Sequence, residues 1–269
     1  MAPDASDPDG HDRPSDVDVD DGNADGNALD TPSPGARHPS PPLFAVATVF
    51  GLLFVASQIA TTALAGGEPA PSPFAAGDAA ASYFSRHREA LRVGALLQFG
   101  AAVPLGIFSA AVASRLRFLG LRAAGVDIAR LGGFAASTSL ACSALVQWSL
   151  ALAGEIDAPG AARALHLIVF ATGGPGHVVP LGLLVAGVAA TAGLAGLLPK
   201  NAMLAGLAMA GLAELSALGL VAPAALYLLP LARFSACAFL LYAGATLPDR
   251  VAAVPAKPSR DEAPSWGAS

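Results

Sequence analysis

From Leu43 to Leu247 the sequence is a succession of apolar runs, each long enough to cross a lipid bilayer and nearly free of charge. A hydrocarbon core of about 30 Å takes about 20 residues of α-helix. Backbone N–H and C=O groups find no water there, so such runs must satisfy them internally, as helices. The runs are Leu43–Ala65, Val93–Ala113, Leu131–Ala153, one from Gly176 or Val178 to Leu198, Asn201–Val221 and Ala225–Leu247. The expected fold is all-α: an integral membrane bundle of six transmembrane helices, with a short extra interfacial helix before the fourth span. The body is rich in Ala, Gly and Leu, and small residues let membrane helices approach closely where packing replaces the hydrophobic effect.

Two tails flank residues 43–248. Residues 1–42 carry ten Asp before Thr31, half of the chain's 20 acidic residues, so the net charge of −5 belongs mostly to this tail. Too few apolar residues are present there to offset chain entropy, and the segment reads as disordered. Asp16–Gly22 resembles the start of a calcium-binding loop, but Asp21 and Asn27 stand where that loop needs Gly and Glu. Residues 249–269 form a second polar, disordered tail. Ala63-Leu64-Ala65 fits a signal-cleavage site, yet the long acidic stretch before it is the opposite of a signal peptide's short basic start.

The connections carry their own signals. After Asp78, a candidate helix cap, Ala79–Arg92 reads as an interfacial helix whose Tyr83, Phe84, Arg86, His87 and Arg88 suit a headgroup layer. Pro104 is expected to kink the second span. Ser114–Arg130 reads as a basic loop, with Arg115, Arg117, Arg122 and Arg130 against Asp127. Anionic lipid is its expected partner, alongside the bilayer itself; no nucleic-acid partner is expected. Ala164–Leu198 is too long for one straight span and is interrupted at Gly173-Gly174-Pro175-Gly176-His177. Splitting it there leaves Ala161–Thr172 as an interfacial or re-entrant helix, and broken helices of this kind build binding sites in transporters.

Two charges lie deep in the apolar body. With the last hairpin turning at Ala222–Ala224, Glu214 lies about 12 Å before the turn and Arg233 about 13 Å beyond it. A charge at the bilayer centre costs about 2.5–3.5 kcal/mol on insertion scales and is usually paired or set in a wet cavity. A Glu214–Arg233 ion pair is therefore expected. Gln58, Gln98 and Gln147 lie about 8–10 Å from the same ends of their spans, and His166 and His177 flank the Gly-rich break. These seven residues form a candidate polar layer, either a cavity or an interhelical hydrogen-bond network.

Six crossings put both termini on one side. That side holds ten of the 15 Lys and Arg residues, the other side holds Arg86, Arg88, Arg92 and Arg163, and Arg233 lies within the membrane. The positive-inside rule then places both termini in the cytoplasm of a cell inner membrane or plasma membrane, with the polar layer in the outer half.

Motif chemistry is sparse. His166 and His177 lack HxxxH or HExxH spacing and have no acid or Cys cluster beside them, so no haem, metal or other cofactor is expected. Cys142 and Cys237 lie in apolar spans and read as packing residues, without a disulfide framework. The glycines at 173–176 lack the Gly-Lys-Ser/Thr ending of a phosphate loop. No Gly-x-Ser-x-Gly elbow or paired-Asp motif favours an enzyme.

Ala90-Leu91-Arg92-Val93-Gly94, the run from Gly173 through Pro180-Leu181-Gly182, and Leu228-Leu229-Pro230 with Arg233-Phe234 resemble a group of uncharacterised multi-pass bacterial membrane proteins, classed as a domain of unknown function. The resemblance covers roughly Leu43 to Pro248. It implies a bacterial membrane-helical fold and offers no catalytic residues. Two functions remain in view: binding or moving a small solute or proton through an outward-facing polar cavity, and a scaffold or accessory subunit without transport.

Overall fold

A computed structural model describes residues 37–72, 74, 79–153 and 159–250. The chain divides into Met1–Thr31 and Pro32–Ser269; the acidic run, the calcium-loop-like piece at Asp16, Asp78 and most of both tails lie outside the described residues. Eight α-helices are described: α1 (Leu43–Leu64), α2 (Ala79–Arg86), α3 (Arg88–Phe118), α4 (Ala124–Ala153), α5 (Pro159–Gly173), α6 (Pro175–Leu194), α7 (Lys200–Leu215) and α8 (Leu228–Thr246). Two 3-10 segments, Ser216–Leu220 and Pro223–Tyr227, make the turn between α7 and α8. Among the described residues, six helical stretches are long and apolar enough to cross a membrane, so the all-α six-span architecture holds.

The bundle closes on itself. Consecutive spans pack side by side, from α1 to α3, α4, α6, α7 and α8, and α8 returns to α1. Helix α6 is apolar on every face, as a helix at the centre of a bundle must be: Val178, Leu181, Leu184, Val185 and Val188 are fully buried. Around it lie Phe50 and Phe54 of α1, Leu105 and Phe108 of α3, Leu140 of α4 and Leu240 of α8. Outward faces carry Leu52, Ile59, Leu96, Leu131 and Leu194, the side chains that a lipid solvent accepts. Cys142 also faces outward, where burial is the expectation; both described cysteines are free thiols.

Several boundaries differ from the sequence reading. The interfacial helix stops at Arg86, and Arg88–Arg92 form the first turn of α3. Beneath α2, Tyr83 and Phe84 pack with Leu91, Leu150 and Ala151, while Arg86 and His87 reach Glu68 at 3.2 and 3.1 Å. Helix α3 runs on through Pro104. The basic loop is mostly helix: α3 continues to Phe118 and α4 starts at Ala124, which leaves only residues 119–123 as turn. The charges explain the extension. Arg115 and Arg117 occupy the last turn of α3 and Asp127 the first turn of α4, each where the helix dipole favours its sign. Arg117 and Asp127 then pair across the turn.

Order also reaches past the expected tail boundaries. Arg37 and Arg250 form an antiparallel bridge, the His38 amide donates to the Asp249 carbonyl, and Arg37 pairs with the Asp249 carboxylate, both at 2.9 Å. The two ends of the membrane body thus meet on one face, as an even number of crossings requires.

A cavity at the broken helix

The site grows from one backbone defect. In an unbroken helix the Gly173 carbonyl would accept the amide of residue 177. Gly174 leaves helical geometry at φ −88° and ψ −108°, Pro175 opens α6, and the His177 amide turns to the Gly174 carbonyl at 3.1 Å. The Gly173 carbonyl is left orphaned at depth. Arg233 of α8 fills the vacancy by donating Nη2–H to it. The guanidinium carbon lies 5.3 Å from the centroid of the Phe54 ring, and Nε is buried without a partner.

Arg233 therefore does not pair with Glu214, and the expected ion pair is corrected. Glu214 is exposed, makes no ion pair among the described residues, and lies over α6 with Oε1 close to Gly182. Equal depth fixes height along a helix but not the direction a side chain points. The two 3-10 segments wind at about three residues per turn rather than 3.6, which shifts the phase between the hairpin's arms. Accordingly, Glu214→Gln is expected to move the unfolding midpoint of the purified protein by no more than about 2 °C, the scale of an ordinary surface change of about 0.5 kcal/mol.

Five of the seven sequence candidates do converge. Gln58, Gln98, Gln147, His166 and Arg233 line one cavity of about 470 Å³ together with Phe54, Ser143, Gly173 and Gly174. That volume lies within the range of small-molecule sites. The glutamines come from α1, α3 and α4, His166 from α5 and Arg233 from α8. Gln98 and Gln147 donate Nε2–H to the carbonyls of Leu140 and Leu91, at 3.5 and 3.2 Å. Gln58 is exposed at the rim. His166 is buried edge-on against Phe84, with ring centroids 4.7 Å apart. Ala70, from the segment after α1, also lines the cavity.

His177 stands just behind the wall. Its ring stacks on Phe54 at 6.3 Å, and Nδ1–H donates to the Ala136 carbonyl at 2.9 Å. Nε2 is buried and unpartnered. The sequence reading missed Phe54, although it precedes Gln58 by one helical turn and so shares its face. Ser143, one of the hydroxyls that give the third span its polarity, does not bond back to its own helix but donates to the Val169 carbonyl of α5 at 3.0 Å.

A second cavity of equal volume opens on the outward faces of α3 and α4, between Arg92, Leu96, Phe99, Leu145 and Trp148. Arg92 is its sole charged wall, and the rest of the lining suits an acyl chain better than a polar solute. In comparisons with known proteins, no family model matches the chain, and no curated protein or solved structure is significantly similar to it. The resemblance drawn from residues 90–94, 173–182 and 228–234 gains no support there, and any functional reading rests on the geometry.

Proposed function

We propose that this multi-pass membrane protein binds a small anionic solute in the cavity beside the helix break and takes part in its passage across the membrane. The observation that carries the reading is Arg233: a guanidinium at the cavity wall, paired with no carboxylate among the described residues and held there by the orphaned Gly173 carbonyl and the Phe54 ring. A buried cation without a counter-ion is costly, and an anion entering the cavity supplies one. Three glutamine amides add neutral donors and acceptors for the polar body of the solute. The excess of Arg and Lys on the side of the chain ends favours cytoplasmic termini, in an inner or plasma membrane, with the cavity facing outward.

Thermal stability of the purified protein against a panel of small carboxylates, phosphate esters, neutral sugars and amines tests this. Anions are expected to raise the unfolding midpoint by an amount that falls in Arg233→Gln, and neutral or cationic compounds to leave it unchanged. Stabilisation by sugars or amines alone overturns the ligand class. No response to any compound removes the binding reading and favours the scaffold.

A further inference from the structure

The opposite membrane face holds a second polar pocket, built independently of the solute cavity. The end of α3, the start of α1 and the end of α8 meet there under the bridge between the two chain ends. Arg37, His38, Ser40, Arg115 and Asp249 enclose about 420 Å³ with Leu43, Phe44 and Leu247 as an apolar floor. Arg115 is 5% exposed and His38 9%. Arg115 donates to Ser40 Oγ at 3.2 Å and to the Leu247 carbonyl at 3.5 Å. No carboxylate lies within ion-pair distance of it among the described residues, since Asp249 is held by Arg37. Arg115 Nε is buried and unpartnered, and so is His38 Nδ1, whose ring engages Ser114 Oγ through Nε2 at 3.1 Å. Burial, and after it the Arg115 charge, hold His38 below its ordinary pKa.

We infer that this pocket binds a phosphate group. Two guanidinium groups face one carboxylate, which leaves an excess of positive charge. Guanidinium forks match phosphate oxygens in bidentate geometry, and the Ser40 hydroxyl and His38 imidazole add hydrogen-bonding groups beside them. The location, at the ends of three spans, is the level of lipid headgroups, and the apolar floor offers a bed for the glycerol and first methylenes of a phospholipid. A free phosphate ester shares the same chemistry. The pocket takes over the lipid contact that the sequence assigns to a basic loop, because Arg117 is committed to Asp127 and Arg115 turns inward.

Thermal unfolding of the full-length protein in lipid-free detergent separates the sources. The probes are inorganic phosphate, short-chain phosphatidylglycerol and, as control, chloride at equal ionic strength. At about a hundredfold excess over Kd, a phosphate-bearing probe is expected to raise the midpoint by about 5 °C or more. A larger response to phosphatidylglycerol identifies a lipid site, and an equal or larger one to inorganic phosphate a soluble ligand. In an Arg233→Gln background, which removes anion binding at the other cavity, Arg115→Gln abolishes the shift, while Arg122→Gln, in the exposed turn, retains it. Should Arg115→Gln fail to fold, Arg37→Gln combined with His38→Ala is expected to lose the shift in its place. No shift with either phosphate probe, or shifts that survive removal of the pocket residues, overturns the assignment.

Discussion

Arg233→Gln is expected to weaken anion binding by at least about 30-fold, with the fold retained. Removing one partner of a buried, hydrogen-bonded charge pair costs about 2–5 kcal/mol, and each 1.4 kcal/mol is a factor of ten. The glutamine amide still donates hydrogen bonds, so it keeps a donor near the Gly173 carbonyl that Arg233 now serves. Arg233→Leu takes that donor away as well, and an unsatisfied buried carbonyl costs about 1–3 kcal/mol. Lysine occupies an intermediate place. It keeps the charge but lacks the fork that lets one side chain hold Gly173 and a ligand together, so Arg233→Lys binds more tightly than the glutamine variant and more weakly than wild type. Calorimetric titration, with unfolding midpoints recorded alongside, separates the loss of affinity from any loss of stability. Wild-type affinity in Arg233→Gln is incompatible with the proposed role.

Gly187→Val is expected to be the more damaging change to the fold. A Cβ at Gly187 would lie 2.5 Å from the Gly125 carbonyl and 2.6 Å from the Ala129 amide nitrogen. Both are backbone atoms of α4 and cannot swing aside. Gly132 is the reciprocal case on α4, where a Cβ would lie 2.6 Å from Leu184 N and Pro180 O. Helices α4 and α6 thus touch backbone to backbone, the close packing on which membrane helices depend. Overpacking costs about 1–3 kcal/mol where side chains can adjust, so about 3 kcal/mol or more is expected here. The expected signs are a lower unfolding midpoint and aggregation on size-exclusion chromatography. Gly211→Ala is the matched control. A Cβ there meets nothing within 4 Å, and alanine is the better helix former by about 1 kcal/mol, so its midpoint holds or rises. Equal behaviour of the two variants contradicts the close packing of α4 on α6.

Much of this architecture is legible in the sequence because the bilayer imposes length and hydrophobicity directly. The spans from Leu43 and Lys200 start and stop within a residue or two of the apolar runs. Depth is legible for the same reason: a constant rise per residue places Gln58, Gln98, Gln147 and Arg233 at one level, and they meet in one cavity. Azimuth is not. The 3-10 segments at 216–220 and 223–227 carry no charge, and Pro223 marks the turn without announcing their winding, so Glu214 turns away from Arg233. The true partner of Arg233 is a backbone carbonyl, which residue composition does not display. Its one trace is the Gly-Gly-Pro break, which marks where a carbonyl must lose its helical donor. The arginines between α3 and α4 were obscured differently. Read as loop, Arg115, Arg117 and Arg130 are equivalent; read as helix ends, Arg117 pairs with Asp127 and Arg115 is drawn beneath the chain ends.

The central claim is that the cavity at the helix break holds an anion against Arg233. The most direct measurement is an experimental structure of the protein with the anion that stabilises it most. The account predicts ligand density in the cavity, an oxygen about 2.7–2.9 Å from a guanidinium nitrogen, and the glutamine side chains turned toward it. A cavity sealed by side-chain packing, or filled by an acyl chain with the anion bound elsewhere, contradicts it.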